Sequence, residues 1–326
     1  MADVSAWWPD RGDRRGQLLL ITALAVGIVL VSIALLLNAA IFTENVATRE
    51  TNVDGREAIA VRESVVADVG ELIERENRRP SDSVSANVTD GIDAIAPLAA
   101  RENVRHGTVV ELQQQGTPRE GDRLSWEPPD GWDGFIVERV VDNATVNRTD
   151  WDLLESAGDV RAFTVTVERS SLPTLSTPSA SELENSAFGV QFNETDSSNT
   201  IQYVYEDGDD VVVAAVDDGT DIAGRCRIAS AEEVTVDLTG DRLLTADEET
   251  SCFRGLWPAF SPEDILVVNG DEVDGTFALT VDGGSLPTDE EIAVTDAVYA
   301  ATVEMHYRSD DLSYQTTVEI APGEPR

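Results

Sequence analysis

Hydrophobic positions fall into three regimes along the chain. The first is unbroken. From Leu18 to Phe42 the sequence reads LLLITALAVGIVLVSIALLLNAAIF, and no charged residue occurs between Gly16 and Thr43. Thr22, Ser32 and Asn38 are its only clearly polar members. At ~1.5 Å rise per residue, such a run extends about 37 Å as a helix, enough to cross a ~30 Å hydrocarbon core with some tilt. Fifteen of its residues are Leu, Ile or Val. Each favours insertion by roughly 0.3–0.6 kcal/mol near the membrane centre. The pattern predicts a transmembrane helix.

The second regime has helical spacing. Between 43 and 79, Val46, Val53, Ala60, Val61, Val65, Val69, Leu72 and Ile73 recur every three to four residues among Glu and Arg, and Pro80 ends the pattern. A second amphipathic stretch runs from Ser83 to Ala100, with Val84, Val88, Ile92 and Ile95 on one face. The third regime, from Val109 to Ile320, has period two. Gly134–Val141, Val160–Glu168 and Ala187–Phe192 read as strands. Thr200–Tyr205 and Val211–Val216 form an expected hairpin through Asp207-Gly208-Asp209. Ile265–Asn269 and Thr276–Val281 are expected to pair around Asp274-Gly275, and Ala297–Tyr307 with Leu312–Ile320 through Ser309-Asp310-Asp311. Residues 171–186, rich in Ser, Pro and Thr, read as a loop. Many short strands joined by Gly/Asp turns predict an antiparallel β-sandwich-like domain.

Arginine sets the orientation. Arg11, Arg14 and Arg15 crowd the N-terminal flank of the apolar run, and the first Arg beyond it is Arg49. The positive-inside rule then leaves residues 1–15 in the cytoplasm and the bulk of the chain outside. The junction Arg14-Arg15-Gly16-Gln17-Leu18 does not suit a secretory signal, whose apolar run is shorter and precedes a small-residue cleavage site. It resembles the class III leader of archaeal prepilins and archaellins. That resemblance implies cleavage by a prepilin peptidase between Gly16 and Gln17, with the apolar helix retained. Many pilins carry Glu at the fifth mature position; here it is Ile21. An uncleaved anchor remains the alternative.

Charge changes the picture of the environment. The chain holds 62 acidic and 23 basic residues, for a formal charge of −39 over 326 residues, and every basic residue is Arg. With no Lys, a Walker A loop, a Schiff-base lysine and the protein-kinase lysine are excluded. A surface this negative argues against nucleic acid as a partner. It suits multimolar salt, where the Debye length falls to about 3 Å and self-repulsion is screened. In this the chain resembles proteins of extremely halophilic archaea. From RGQLLL near the start to AVYAATVEMHYRSDDLSYQTTVEIAPGEP at the end, it resembles an uncharacterised group of haloarchaeal pilin-like membrane proteins. The resemblance implies placement and layout, and no activity.

Candidate chemistry is sparse. Cys226 and Cys252 are the only cysteines; in an outward-facing domain they suit a disulfide, with two free buried thiols as the alternative. Four sequons stand at Asn87, Asn143, Asn147 and Asn193, glycosylation acceptors on the side placed outside. Acid clusters at Glu206–Asp210, Asp217–Asp221 and Asp247–Glu249 invite a calcium reading, but Asn269–Gly275 lacks EF-hand spacing. Solvated loops are the plainer account. His106 and His306 are the only histidines, and no GxSxG or HExxH pattern occurs. Trp126, Trp132, Trp151 and Trp257 would suit either a sugar site or the cap of a sandwich core.

The expected fold is α+β: a cytoplasmic leader (1–16), a transmembrane helix (17–42), an extracellular helical stalk (43–103) and an antiparallel β domain (104–326). The expected role is a pilin-like, single-pass cell-surface protein with a structural or adhesive β domain. It is not expected to be an enzyme, and no metal or cofactor is expected. The lipid bilayer is its partner, with a prepilin peptidase and other pilin-like subunits as further ones. The alternatives are a non-polymerising tethered accessory or binding protein and, behind it, a surface hydrolase.

Overall fold

The computed structural model describes residues 55–79, 81–126, 134–141, 144–194, 198–229, 231–252 and 255–323. The expected leader with Gly16 and Gln17, the membrane helix, residues 43–54, Trp132 and Asn143 lie outside the described residues. Among the described residues no helix is long and apolar enough to cross a membrane.

Residues 55–77 form helix α1, and Val84–Arg105 form α2. On α1 the buried apolar positions are Ala58, Val65, Val69, Leu72 and Ile73; on α2 they are Val84, Val88 and Ile92. Each set lies on one helical face. The turn between the helices is short, so they run as antiparallel neighbours. They meet closely at Gly91, where an added Cβ would come within 2.6 Å of the Leu72 side chain.

Seventeen strands follow among the described residues, beginning with β1 (Val109–Gln114), β2 (Arg119–Trp126), β3 (Val137–Val141), β4 (Ala144–Arg148), β5 (Trp151–Leu154) and β6 (Asp159–Glu168). Helix α3 (Ala180–Ser186) then precedes β7 (Phe188–Asn193), β8 (Asn199–Asp207), β9 (Asp210–Asp217), β10 (Asp221–Ala229), β11 (Glu233–Asp237), β12 (Arg242–Leu244) and β13 (Glu249–Ser251). The last four are β14 (Asp264–Val268), β15 (Gly275–Asp282), β16 (Ile292–Arg308) and β17 (Ser313–Ile320). All the ladders are antiparallel.

Two sheets make a sandwich. One runs β16-β2-β15-β6-β11-β12-β13 and the other β10-β9-β8-β7-β14-β5. Between them lies the main core, which includes Leu124, Phe163, Val165, Phe188, Phe192 and Val213. Strand β9 is buried along almost its whole length. Val211 and Val213 face the sandwich core, while Val212, Ala214 and Val216 join Tyr203, Tyr205 and Leu183 of α3 on the other side. This is why the sequence there is continuously apolar rather than alternating.

The long strand β16 links the sandwich to the helices. Ile292–Ala300 pairs with β2. Ala301–Arg308 pairs with β17, and its last six residues also pair with β1. Val303, Met305 and Tyr307, at period two, bury against α1 and α2 together with Val110, Leu112 and Ile320. The segment expected as a stalk over 43–103 is therefore, in its described part, no free-standing rod. Its apolar stripe is covered by strands from the far end of the chain, because an exposed stripe of this width would forfeit roughly 1.5–3 kcal/mol per large side chain.

Two further expectations are corrected. Strands β14 and β15 do not pair with each other: β14 joins β7 and β5 in one sheet, and β15 joins β2 and β6 in the other. Asn269 takes a left-handed conformation, φ 51°, and Gly270 passes so near the Phe135 carbonyl oxygen that no side chain would fit. The chain thus crosses between sheets there instead of turning back. The expected loop at 171–186 contains α3, started by a capping box in which Ser179 and Glu182 satisfy each other's backbone N–H groups. The hairpins β8–β9 and β16–β17 form where the turn residues predict them.

Candidate functional site

Two recesses concentrate polar chemistry. The larger, about 730 Å³, is an open groove lined by Glu138, Asp152, Glu155, Asp289, Glu290 and Glu291 around Arg139. Arg139 forms a two-pronged pair with Asp289, at 3.1 and 3.2 Å. That hydrogen bonding holds its pKa above the ordinary guanidinium value. Glu291 is buried, and its Oε1 accepts the Glu138 backbone N–H at 3.2 Å. Among the described residues no group of three or more His, Cys, Asp or Glu side chains is placed to hold a metal ion. A carboxylate-lined groove on so acidic a chain matches the surface at large and marks no site.

The second recess departs from the surface at large. It has a volume of about 310 Å³ and lies where α1 meets the sandwich. Arg78 comes from the end of α1, Arg123 from β2, Arg161 from β6 and Arg242 from β12, against two carboxylates, Glu74 and Asp237. Arg161 is only 6% exposed, and a bulge puts it there. Ala278 and Thr280 of β15 pair with Thr164 and Arg161, so three steps of β6 match two of β15. Ala162 at the bulge has φ 49°, and its N–H donates to the Gly323 carbonyl at 2.8 Å. The extra residue breaks the alternation, so Val160 and Arg161 are both buried.

Tyr299 of β16 forms the aromatic wall. The Arg161 guanidinium lies 4.0 Å from its ring centre and that of Arg119 lies 4.6 Å away. Burial pushes the Tyr299 hydroxyl above its ordinary pKa, and hydrogen bonding to Arg161 works in the opposite direction. Asp237 accepts from Arg242 Nε and from the Gly240 N–H, both at 2.8 Å. At the rim, the Asn77 side chain donates to the Val298 carbonyl at 2.9 Å and accepts from the Val298 N–H at 2.8 Å. Val298 borders the bulge at which β16 slips against β2. The Asn77 amide thus serves as a strand partner and clips α1 to β16.

The residues singled out in the sequence do not converge on this recess. Cys226 and Cys252 form a disulfide, Cα atoms 5.3 Å apart. It ties β10, outermost in one sheet, to the end of β13, outermost in the other. Asn87 on α2 and Asn147 on β4 are exposed, and Asn193 at the end of β7 is half-buried with its Oδ1 accepting from Gln191 at 2.7 Å. Trp126 and Trp151 stack inside the sandwich, ring centres 5.9 Å apart, and Trp257 packs on Phe192. These rings are core, not the lining of a sugar site. His306 lies 3.1 Å from Glu304 on β16. The four arginines of the recess, spread from 78 to 242, share no spacing that a sequence reading could detect.

Comparison with known proteins adds one finding. Residues 12–126 match a family described as of unknown function, DUF7261. The matched stretch runs from the arginine flank through the apolar segment and both helices to the end of β2. No curated protein matches the chain.

Proposed function

We propose that the protein is a pilin-like, single-pass cell-surface protein adapted to high salt. Its N-terminus lies in the cytoplasm and its β domain acts outside as a structural or adhesive head. One observation carries the reading: helix α1, whose described part opens 13 residues beyond Phe42, is packed into the head rather than free of it. Its buried face shares a core with β1, β16 and β17, and Asn77 clips its end to β16. A head that shares one core with its first described helix suits a pilin-like subunit, because packing on that helix is passed directly to the head. The match over 12–126 spans the same segment and supports treating leader, helices and first strands as one unit. The work is placement and contact rather than catalysis. The bilayer is the partner, with a prepilin peptidase and other pilin-like subunits in the assembled case.

Mass spectrometry of the mature N-terminus from native membranes tests the leader. Gln17 as first residue is expected; an intact Met1–Gly16 segment refutes pilin-type processing. Ile21, where many pilins carry Glu, favours a second reading in which the protein stays in the membrane as a tethered accessory or binding protein. Recovery in filaments sheared from cells supports assembly; retention in the membrane fraction supports the second reading. Protease added to intact cells is expected to remove the β domain, and a head cut only after lysis would overturn both.

A further inference from the structure

Taking the chain to be single-pass, as proposed above, we propose that the end of the head nearest the apolar segment docks on the bilayer surface, with the outer stripe of α2 settled among the lipid headgroups. Helix α2 has two apolar faces. Its inner one, Val84, Val88 and Ile92, is buried. On the outward side of its last three turns, Ala94, Pro97, Leu98, Arg101, Val104 and Arg105 recur at helical spacing, and all six are exposed. Leu98 is 61% and Val104 60% exposed. No carboxylate stands on this stripe. From Ala94 to Arg105 the one acid is Glu102, on a chain with 62 acids and 23 bases, and it pairs with Arg105 at 2.9 Å. The register of the two helices fixes where the stripe lies. Gly91 meets Leu72. Thirteen residues on from Gly91 is Val104, and thirteen back from Leu72 is Ile59, itself 53% exposed. The stripe therefore ends level with the start of α1, and the exposed Val109 opens β1 at the same end. Twelve residues separate Phe42 from Gly55, a span of at most about 45 Å when fully extended. This is the end that the anchor holds to the membrane, and a tethered contact needs only a modest apolar face to form. Large apolar side chains set among arginines suit the headgroup region, where the apolar tips enter the acyl boundary and the guanidiniums stay with the phosphates. The other charges of this end nearly cancel. Arg56 and Arg62 stand with Glu57 and Glu63 on α1. Arg308, in register with Val109, precedes Asp310 and Asp311. The face thus meets a membrane without the repulsion that the rest of a chain of charge −39 would bring to an anionic surface.

The test uses the full chain reconstituted in phosphatidylglycerol vesicles in multimolar potassium chloride. A nitroxide is attached at Arg101→Cys without reductant, so that the Cys226–Cys252 disulfide stays closed. Collisions of the label with oxygen, which concentrates in lipid, are compared with collisions with a water-soluble nickel chelate. Oxygen is expected to prevail at Arg101→Cys, and the nickel chelate at Ser83→Cys, an exposed position about 27 Å away along α2. Adding Leu98→Glu and Val104→Glu, both at exposed positions that leave the core intact, is expected to reverse the preference at 101. A label at 101 as open to the nickel chelate as one at 83, in vesicles that retain the chain through alkaline extraction, overturns docking and leaves the anchor standing. Release of the chain by alkaline extraction overturns the single-pass reading and docking with it. A label shielded from both reagents, or broadened by a second label until diluted with unlabelled chain, assigns the face to a protein contact and overturns the proposal. So does an oxygen preference that survives both Glu substitutions.

Discussion

The coupling of helix to head joins the apolar face of α1 to one polar side chain, Asn77, and removing that side chain is the sharpest test of its share. Asn77 is 8% exposed and Val298 is 1% exposed. The two hydrogen bonds between them, at 2.9 and 2.8 Å, stand where the β16–β2 ladder is irregular. Asn77→Ala leaves the Val298 N–H and C=O facing a methyl group. An unsatisfied buried polar group costs about 1–3 kcal/mol, so the pair predicts a loss of about 2–6 kcal/mol. For a chain of this size, each kcal/mol lowers Tm by about 2–4 °C. Circular dichroism melts of the full chain in multimolar salt read the shift, and amide exchange at Val298 locates it. Asn77→Asp refines the test. Its carboxylate still accepts from the Val298 N–H but repels the Val298 carbonyl, so the variant should be at least as damaged at neutral pH. It should recover on acidification, when the carboxyl regains a proton to donate. A melt of Asn77→Ala within about 0.5 kcal/mol of wild type, with Val298 still protected, would show that α1 is held by its apolar face alone.

Three further outcomes are expected. Cys226→Ser and Cys252→Ser should each lower stability by about 3 kcal/mol in the chain-entropy account of a loop of this length, and the double variant should lose no more than either; denaturant melts with additive losses would contradict this. Asp122 stands directly opposite Asp296 across β2 and β16, and burial first, then the Asp296 charge, raises its pKa. The folded state thus holds that proton more tightly than the unfolded chain, so stability falls as pH rises through the carboxylate range. Asp122→Asn should gain about 0.2–1 kcal/mol above that range at moderate salt, and little below it or in brine; a loss at neutral pH would refute the pairing. Finally, dialysis from multimolar to about 0.1 M salt should abolish the cooperative melt, since −39 charges are then screened only over a Debye length of about 10 Å; an undiminished melt would disprove the dependence.

Much of the architecture is legible in the chain because it is written in local periodicity. Val84, Val88 and Ile92 mark the buried face of α2. The run Val211–Val216 marks a strand covered on both sides, and Gly/Asp turns mark two of the hairpins. Each follows from which side of one element meets water. The Ser179/Glu182 capping box was also present in the sequence, masked by the Ser, Pro and Thr around it.

What the sequence by itself determined is the apolar run from Leu18 to Phe42, the buried faces of both helices and several of the strands. What only the tertiary structure decided is which elements meet. Strands β14 and β15 are sequence neighbours and part company because Gly270 must pass the Phe135 carbonyl. Helix α1 and strand β17 are separated by more than two hundred residues and share one core. The arginines at 78, 123, 161 and 242 face a single recess because a bulge at Ala162 turns one of them inward. Hydrophobic burial acts on the face an element presents and is readable one element at a time; partner choice depends on shape and on hydrogen bonds between distant segments, which no local pattern encodes.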